Sequence, residues 1–398
     1  MSYLQRLAQV FAREVGNELT GYTFVFPNRR AGLFFRRYLG QALSQPIFSP
    51  RVMTINECFA SLSDLRIADQ LTLLMRLYAQ YQQLRPEPET IEQFLHWGKM
   101  MLADFSEIDN HLVQDIEALY AAVKDLHDID DHFLTLSDTQ RNAIKKFWGD
   151  FYASSDKNSN KLHQQFIRTW ELLYPLYQRL RDNLLSDQLA YEGLLHRQVI
   201  EHWEQIPDNA FEQHYVFVGF NALTESERQL LIRLRDRGCA DFYFDYEDTY
   251  LSDPENRASL FREENLRTFP SHYEIPERTH AEHAKITLLS VDSTVGEARE
   301  VYHVLNELYP KDTPLTTDYT RTAVVLPDEQ LLIPLLDCFP EGVKKINVTM
   351  GYPLRASELY MPIAYPDKYF TPMPTTGEQM IVALRQYIDT KRTPANSE

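Results

Sequence analysis

The chain has 398 residues, of which 44% are hydrophobic and 24% charged, so it has enough apolar material for a sizeable core and is not wholly disordered. Its length predicts two or three domains, its 13 glycines favour helix, and its net charge of −17 argues against general binding to nucleic acids or anionic membranes. Three widely spaced cysteines, no signal sequence and no long apolar run predict a cytoplasmic protein without a membrane span.

The first segment of the chain alternates strands and helices. The apolar spacing predicts a helix over 2–15, a buried strand over Tyr22–Phe26, a helix over 31–43 and a second strand that ends at Met53. The run Thr54–Glu57 has the Ser/Thr-x-x-Glu form of a capping box, which opens a further helix. This repeated strand–turn–helix order is typical of an α/β domain.

Residues 66–204 have a different pattern, with apolar residues at spacings of three and four. We predict an all-helical block of five to seven helices here, with a mobile loop at 154–160. The strand–helix alternation then returns with a buried strand over Tyr215–Val218, a capping box at Thr224–Glu227 and a strand over Asp241–Asp245.

The last part of the chain begins with charged residues 246–284, which lack a clear period and predict an irregular linker. A second β/α block follows, with a strand-like segment at 286–289, a helix over Glu297–Leu308, a buried strand over Thr322–Leu326 and Asp328 as a helix cap. An α/β core interrupted by a helical insertion explains this order best. A helical domain packed beside two unrelated domains is the alternative.

The sequence contains no nucleotide-binding fingerprint. A P-loop requires Gly-x4-Gly-Lys-Ser/Thr between a strand and a helix. The spacing from Gly16 to Gly21 places Tyr22 at the lysine position, and it precedes a strand instead of following one. Gly-x-Gly-x-x-Gly is also absent. No cofactor is therefore expected.

We interpret the matches to other catalytic patterns as coincidences. Pro366–Asp367 and Asp389–Lys391 resemble the Pro-Asp…Asp/Glu-x-Lys pattern of metal-dependent nucleases, but 381–388 predicts a helix where that chemistry needs a strand. The acidic and histidine-containing run 125–132 predicts a solvated turn, because metal ligands must converge from fixed positions. No Gly-x-Ser-x-Gly nucleophile motif occurs. We therefore assign no catalytic residue and no metal ligand.

A local basic patch follows the first strand. Asn28, Arg29 and Arg30 stand where that strand ends and a helix begins, and Arg36 and Arg37 follow one or two helical turns later. This position corresponds to the carboxyl edge of a parallel sheet, where α/β proteins bind ligands. The arginines either form an exposed first turn of the helix or contact a phosphate group.

Four segments carry a family resemblance. Tyr22–Ala31 resembles motif Ia of AddB-type helicase–nuclease subunits, and Val52–Ile55 is similar to the next strand and turn. Tyr215–Glu227 resembles the Asp-Gly-Phe…Phe-Thr…Glu segment of that family, and Ile346–Leu354 resembles the entry into its second motor domain. Together they resemble, over nearly the whole chain, the AddB-like proteins of Bacteroidetes-type bacteria grouped as PD-(D/E)XK nuclease family.

The resemblance implies a RecA-like domain 1A, formed by 1–65 and 205–280, with an all-helical insertion at 66–204. It also implies that 281–398 is the start of a second RecA-like domain, and we expect the chain to be the amino-terminal part of a longer protein. The family's Walker B acid would fall at Val218, and its P-loop is missing, so neither ATPase nor nuclease activity is expected.

The implied function is a non-catalytic helicase-like module that holds or scans single-stranded or duplex-end DNA for repair or recombination. The resemblance implies an AddA/RecB-type motor subunit as partner. The expected DNA contacts are Asn28, Arg29, Arg30, Thr54, Thr349 and Arg355. A protein-interaction scaffold with an inactive motor fold is one alternative, and a small-molecule enzyme with an unrecognised site is another.

Overall fold

The computed structural model is a mixed α/β structure with a small parallel sheet. It describes residues 2–85, 88, 90–117, 159–246, 260–276 and 285–351, and the single positions 368, 382, 383 and 385. The chain divides into two units, Met1–His280 and Ala281–Glu398. The described strands are β1 Tyr22–Phe26, β2 Arg51–Thr54, β3 Arg66–Ile67, β4 Leu189–Ala190, β5 His214–Val218 and β6 Ala240–Tyr243. The described helices are α1 Tyr3–Glu14, α2 Arg29–Ala42, α3 Ile55–Ser61, α4 Gln70–Leu84, α5 Ile91–Asn110, α6 Ser159–Ser186, α7 Glu192–Glu201, α8 Glu225–Asp236, α9 Arg262–Thr268, α10 Thr294–Leu308 and α11 Leu332–Leu336.

The main sheet has the order β2-β1-β5-β6, and its strands are all parallel. The central strands β1 and β5 are buried on both faces, as their continuous apolar runs predict. Successive side chains point to opposite faces. Phe24 and Val216 therefore join one core with α1 and α2, whereas Val25 and Phe217 join a larger core with α3, α8 and the helices between them. The predicted strands of this sheet are confirmed.

Side-chain caps fix where the helices of the sheet begin. Thr54 and Thr224 each form the predicted capping box with a glutamate three residues later. Asn28 accepts a hydrogen bond from the backbone N–H of Ala31 at 3.0 Å, so α2 begins at Arg29, two residues before the predicted start.

The predictions for the middle of the chain need three corrections. The segment predicted as all-helical also contains β3 and β4, which pair in parallel; strands of two residues carry no readable period. The loop predicted at 154–160 is wrong at its end, because Ser159 and Asn160 lie in α6; its residues 154–158 are outside the described part. The predicted linker contains α9, which is fixed because buried Asn265 donates to the carbonyl of Asn221 at 2.8 Å.

In the unit Ala281–Glu398, α10 is confirmed, and Asp328 accepts a hydrogen bond from the N–H of Gln330 in the turn before α11. The strands predicted at 286–289 and Thr322–Leu326 are wrong. Both segments are irregular and expose their own apolar side chains to solvent. A strand forms only where a neighbour completes its hydrogen bonds, and within the described residues these segments have no such neighbour.

A buried polar cluster joins α5, α6 and α7. The carboxyl group of Asp109 is fully buried and accepts hydrogen bonds from the hydroxyls of Tyr177 and Tyr191 and from Nε of Arg197, at 2.5–2.6 Å. Burial raises the pKa of Asp109, and these donors offset part of that rise. The guanidinium of Arg197 also donates to two backbone carbonyls. Because these buried groups are paired, the cluster fixes the register of the helices.

Candidate functional site

A cleft lies where the carboxyl ends of β1 and β2 meet. The parallel register pairs Phe26 with Thr54, so the turns that follow the two strands are adjacent. The cleft has a volume of about 340 Å³. Its lining includes Asn28, Arg29, Leu33, Arg36, Thr54 and Glu57. Three of the predicted contact residues, Asn28, Arg29 and Thr54, are therefore brought together.

The cleft contains an ion pair that the sequence did not predict. Nη2 of Arg29 lies 2.8 Å from Oε1 of Glu57, and Oε2 of Glu57 accepts the backbone N–H of Thr54 at 2.9 Å. The Thr54 N–H, followed by the Arg29 guanidinium, holds the pKa of Glu57 below its usual value. The Arg29 side chain is 84% exposed, so this pair contributes at most about 1 kcal/mol and its guanidinium is free to exchange partners.

Helix α2 concentrates positive charge beside the cleft. It carries Arg29, Arg30, Arg36 and Arg37 and no acidic residue, in a protein whose net charge is −17. Nη2 of Arg36 donates to the carbonyl of Val52 on β2 at 3.3 Å. Within the described part of the chain, Arg30 and Arg37 have no ion-pair partner. Glu57 is the acidic group that lines the cleft.

A glycine lets α2 approach β2 closely. A Cβ at Gly32 would lie 2.7 Å from Cγ1 of Val52, closer than side chains pack. Because Gly32 has no side chain, the helix rests directly on the strand and places Arg29 and Arg36 along the same cleft. The arrangement can bind an anion with two guanidinium groups, and Leu33 adds an exposed apolar surface between them.

The other predicted contact residues lie elsewhere. Arg30 is exposed on α2 but does not line the cleft. Thr349 is exposed in an irregular segment of the unit Ala281–Glu398. Arg355 lies outside the described residues, as do the nuclease-like runs at 366–367 and 389–391 and the acidic run 125–132.

Sequence reasoning placed Arg36 in the basic patch but missed the roles of Glu57 and Leu33 in the cleft. The capping box identified Glu57 as a helix-start residue but gave no sign that it reaches Arg29. The spacing of Arg29, Leu33 and Arg36 by four and three residues on one helix was the available signal, because such residues share a face.

The position implied for a Walker B acid is part of the core. Val218 is fully buried at the end of β5. The next residue, Gly219, has a φ of +76°, and its N–H donates to the carbonyl of Tyr243 at 2.9 Å. The run Gly16–Gly21 forms a 3-10 helix before β1. This run precedes a strand, whereas a P-loop follows one.

Comparison with family models and with curated proteins gives no match for this chain. Among the described residues, no helix is long and apolar enough to cross a membrane. The same part of the chain contains no group of three or more histidine, cysteine, aspartate or glutamate side chains arranged to hold a metal ion.

Proposed function

We propose that this chain is a non-catalytic, RecA-like helicase module of an AddB-type helicase–nuclease, which holds or scans DNA beside an AddA/RecB-type motor subunit in the cytoplasm. The observation that carries the proposal is the acid-free helix α2, whose four arginines stand beside a cleft at the carboxyl edge of a parallel sheet. This edge is where proteins of the α/β class bind ligands.

Phosphate is the group that this patch fits best. Guanidinium groups bind phosphate oxygens through paired, charge-assisted hydrogen bonds. A bound phosphate has to replace Glu57 as the partner of Arg29, and the exposure of that pair makes the exchange inexpensive in free energy. The remaining acidic surface repels DNA at long range, so binding depends on local contacts. These contacts release counterions from the DNA, and they are therefore strongest at low salt.

A protein-interaction scaffold is the second candidate, and a separate surface favours it. Leu71 and Met75 lie one turn apart on α4 and are 64% and 46% exposed. Neighbouring apolar side chains in solvent are a feature of protein-binding surfaces. In this alternative, the arginines of α2 form a solvent-exposed helix face, and the chain is only a structural component of a complex.

The test is the fluorescence anisotropy of a labelled single-stranded DNA and of its duplex, titrated with the chain at low and moderate salt without nucleotide. Saturable binding that weakens with salt supports the DNA-binding proposal. The absence of binding at low salt, combined with stable co-purification with a motor subunit, contradicts it and favours the scaffold.

The double variant Arg29→Ala/Arg30→Ala locates the contact. We expect weaker binding and a salt dependence shallower by about 1.4 logarithmic units, since each contact with a single strand contributes ~0.7. The matched control is Arg13→Ala/Arg267→Ala, which removes the same charge from exposed arginines on α1 and α9. Equal effects of the two double variants mean that net charge alone governs binding and that α2 is not the site.

A further inference from the structure

A second cleft continues the first one along helix α2. It has a volume of about 410 Å³ and lies between the second half of the helix and the loop that leads to β2. Arg36 lines both clefts, the first together with earlier residues of α2 and the second together with later ones. The two clefts therefore lie end to end along the helix, on either side of this arginine.

Both clefts have apolar walls and carry positive charge. The apolar side chains that line the first are Leu33, Val52 and Met53, and those that line the second are Leu39, Leu43, Pro46, Ile47 and Pro50. Among the described residues that line the two clefts, Glu57 is the one acid, and it lines only the first. An anionic ligand with apolar parts therefore fits them better than a cationic one.

The loop that bounds the second cleft is held in place. Nε2 of Gln45 donates to Oδ1 of Asn17 at 2.9 Å, which ties the loop to the 3-10 helix before β1. Pro46 and Pro50 each fix a backbone φ angle in the loop. Opposite the loop, Gly40 leaves the helix without a side chain, and no atom lies within 4 Å of a Cβ placed there. The cleft is therefore preformed and open.

Charged groups and apolar clefts alternate along this face of α2. Arg29 and Arg36 stand two helical turns apart, about 10 Å along the helix axis. The first cleft lies between them, and the second lies beyond Arg36. A nucleic acid strand has the same alternation, of phosphates and bases. Guanidinium groups bind the phosphates, and apolar walls receive the faces of unpaired bases.

We propose that a single nucleic acid strand lies along α2, with phosphates at Arg29 and Arg36 and a base in each of the two clefts. This inference rests on the proposed function and names the form of DNA that the site selects. The bases of a duplex are paired inside the stack, and extruding one costs free energy. The two clefts therefore favour a single strand over a duplex.

The test compares, by anisotropy with the full chain, a labelled oligothymidylate, an abasic strand with the same number of phosphates, and a duplex of the same length. We expect the oligothymidylate to bind roughly tenfold more tightly than either of the others, the effect of about one base contact. If the chain binds no DNA, this inference and the proposed function both fail. If the abasic strand or the duplex binds as tightly as the oligothymidylate, only this inference fails.

Gly40→Leu separates binding from folding, because it fills the second cleft while leucine favours helix over glycine. We expect roughly tenfold weaker binding of the oligothymidylate, with no loss in thermal midpoint and no change for the abasic strand. The matched control is Gln41→Leu, at the next exposed position of α2, which lines neither cleft. Equal effects of the two variants overturn the proposal. Displacement of the oligothymidylate by an equal concentration of a peptide of alternating glutamate and leucine also overturns it, because the clefts then do not select a base.

Discussion

At the scale of single residues, His196 is the clearest source of a pH-dependent stability. Its ring is 2% exposed and stacks on Phe59 with the ring centroids 3.9 Å apart. Nδ1 lies 3.0 Å from Oδ1 of Asn110, and Nε2 is buried without a partner in the described part of the chain. Burial lowers the pKa of His196 from 6.5 to about 4, because the charged ring has no compensating group.

We predict that the stability contributed by neutral His196 is fully present above pH 6.5 and is lost as the pH falls toward 4. In this window the unfolded chain binds a proton that the folded chain does not, so acid favours unfolding by roughly 3 kcal/mol in total. Urea denaturation at a series of pH values measures this loss. The variant His196→Gln should lose less stability over the same window.

The control for this titration is His303→Gln, which removes an exposed histidine from α10. Its pH dependence should follow that of the unaltered chain. If His196→Gln and the unaltered chain lose stability in parallel between pH 6.5 and 4, the buried imidazole is not the group that titrates.

At the scale of secondary-structure elements, the contact between α5 and α7 depends on one glycine. A Cβ at Gly193 would lie 2.2 Å from the backbone carbonyl oxygen of Ser106, and the Gly193 N–H donates to the Ser106 hydroxyl at 3.1 Å. A backbone atom cannot rotate away as a side chain can, so any substituent separates the two helices. Their contact also carries the Asp109–Arg197 cluster.

We predict that Gly193→Ala destabilises the chain by roughly 1–3 kcal/mol through this overpacking. The matched control is Gly40→Ala in α2, where no atom lies within 4 Å of the added Cβ. That change should stabilise the chain by up to about 1 kcal/mol, because alanine favours helix over glycine. Urea denaturation midpoints distinguish the two, and equal shifts of both variants would contradict the packing argument.

The elements that the sequence predicts well are those whose signal is local. The strands β1 and β5 are continuous apolar runs, and the capping boxes at Thr54 and Thr224 each depend on two residues three apart. The pairing of β3 with β4 depends on contact between segments more than a hundred residues apart, so no local pattern predicts it. The Arg29–Glu57 pair depends in the same way on the adjacency of β1 and β2.

At the scale of the whole molecule, the two units differ in how much apolar surface they bury. The unit Met1–His280 contains both large cores. In the unit Ala281–Glu398, the described buried apolar side chains are few: Ala298, Leu305, Leu331, Leu332 and Leu335. Leu288 and Val325, in segments with strand-like sequences, are 91% and 83% exposed. An apolar run thus forms a buried strand only where other elements cover it.

We predict that this contrast appears in amide hydrogen exchange. The amides of β1 are paired within the sheet on both sides and should be protected by a factor on the order of 10³ or more. The amides of 323–326 donate to no carbonyl within the described residues and should exchange at the rate of an unstructured chain. Mass spectrometry of peptides from the two segments compares apolar runs of similar length in one sample. Equal protection of the two segments would contradict this prediction, because it would mean that 322–326 is a paired strand.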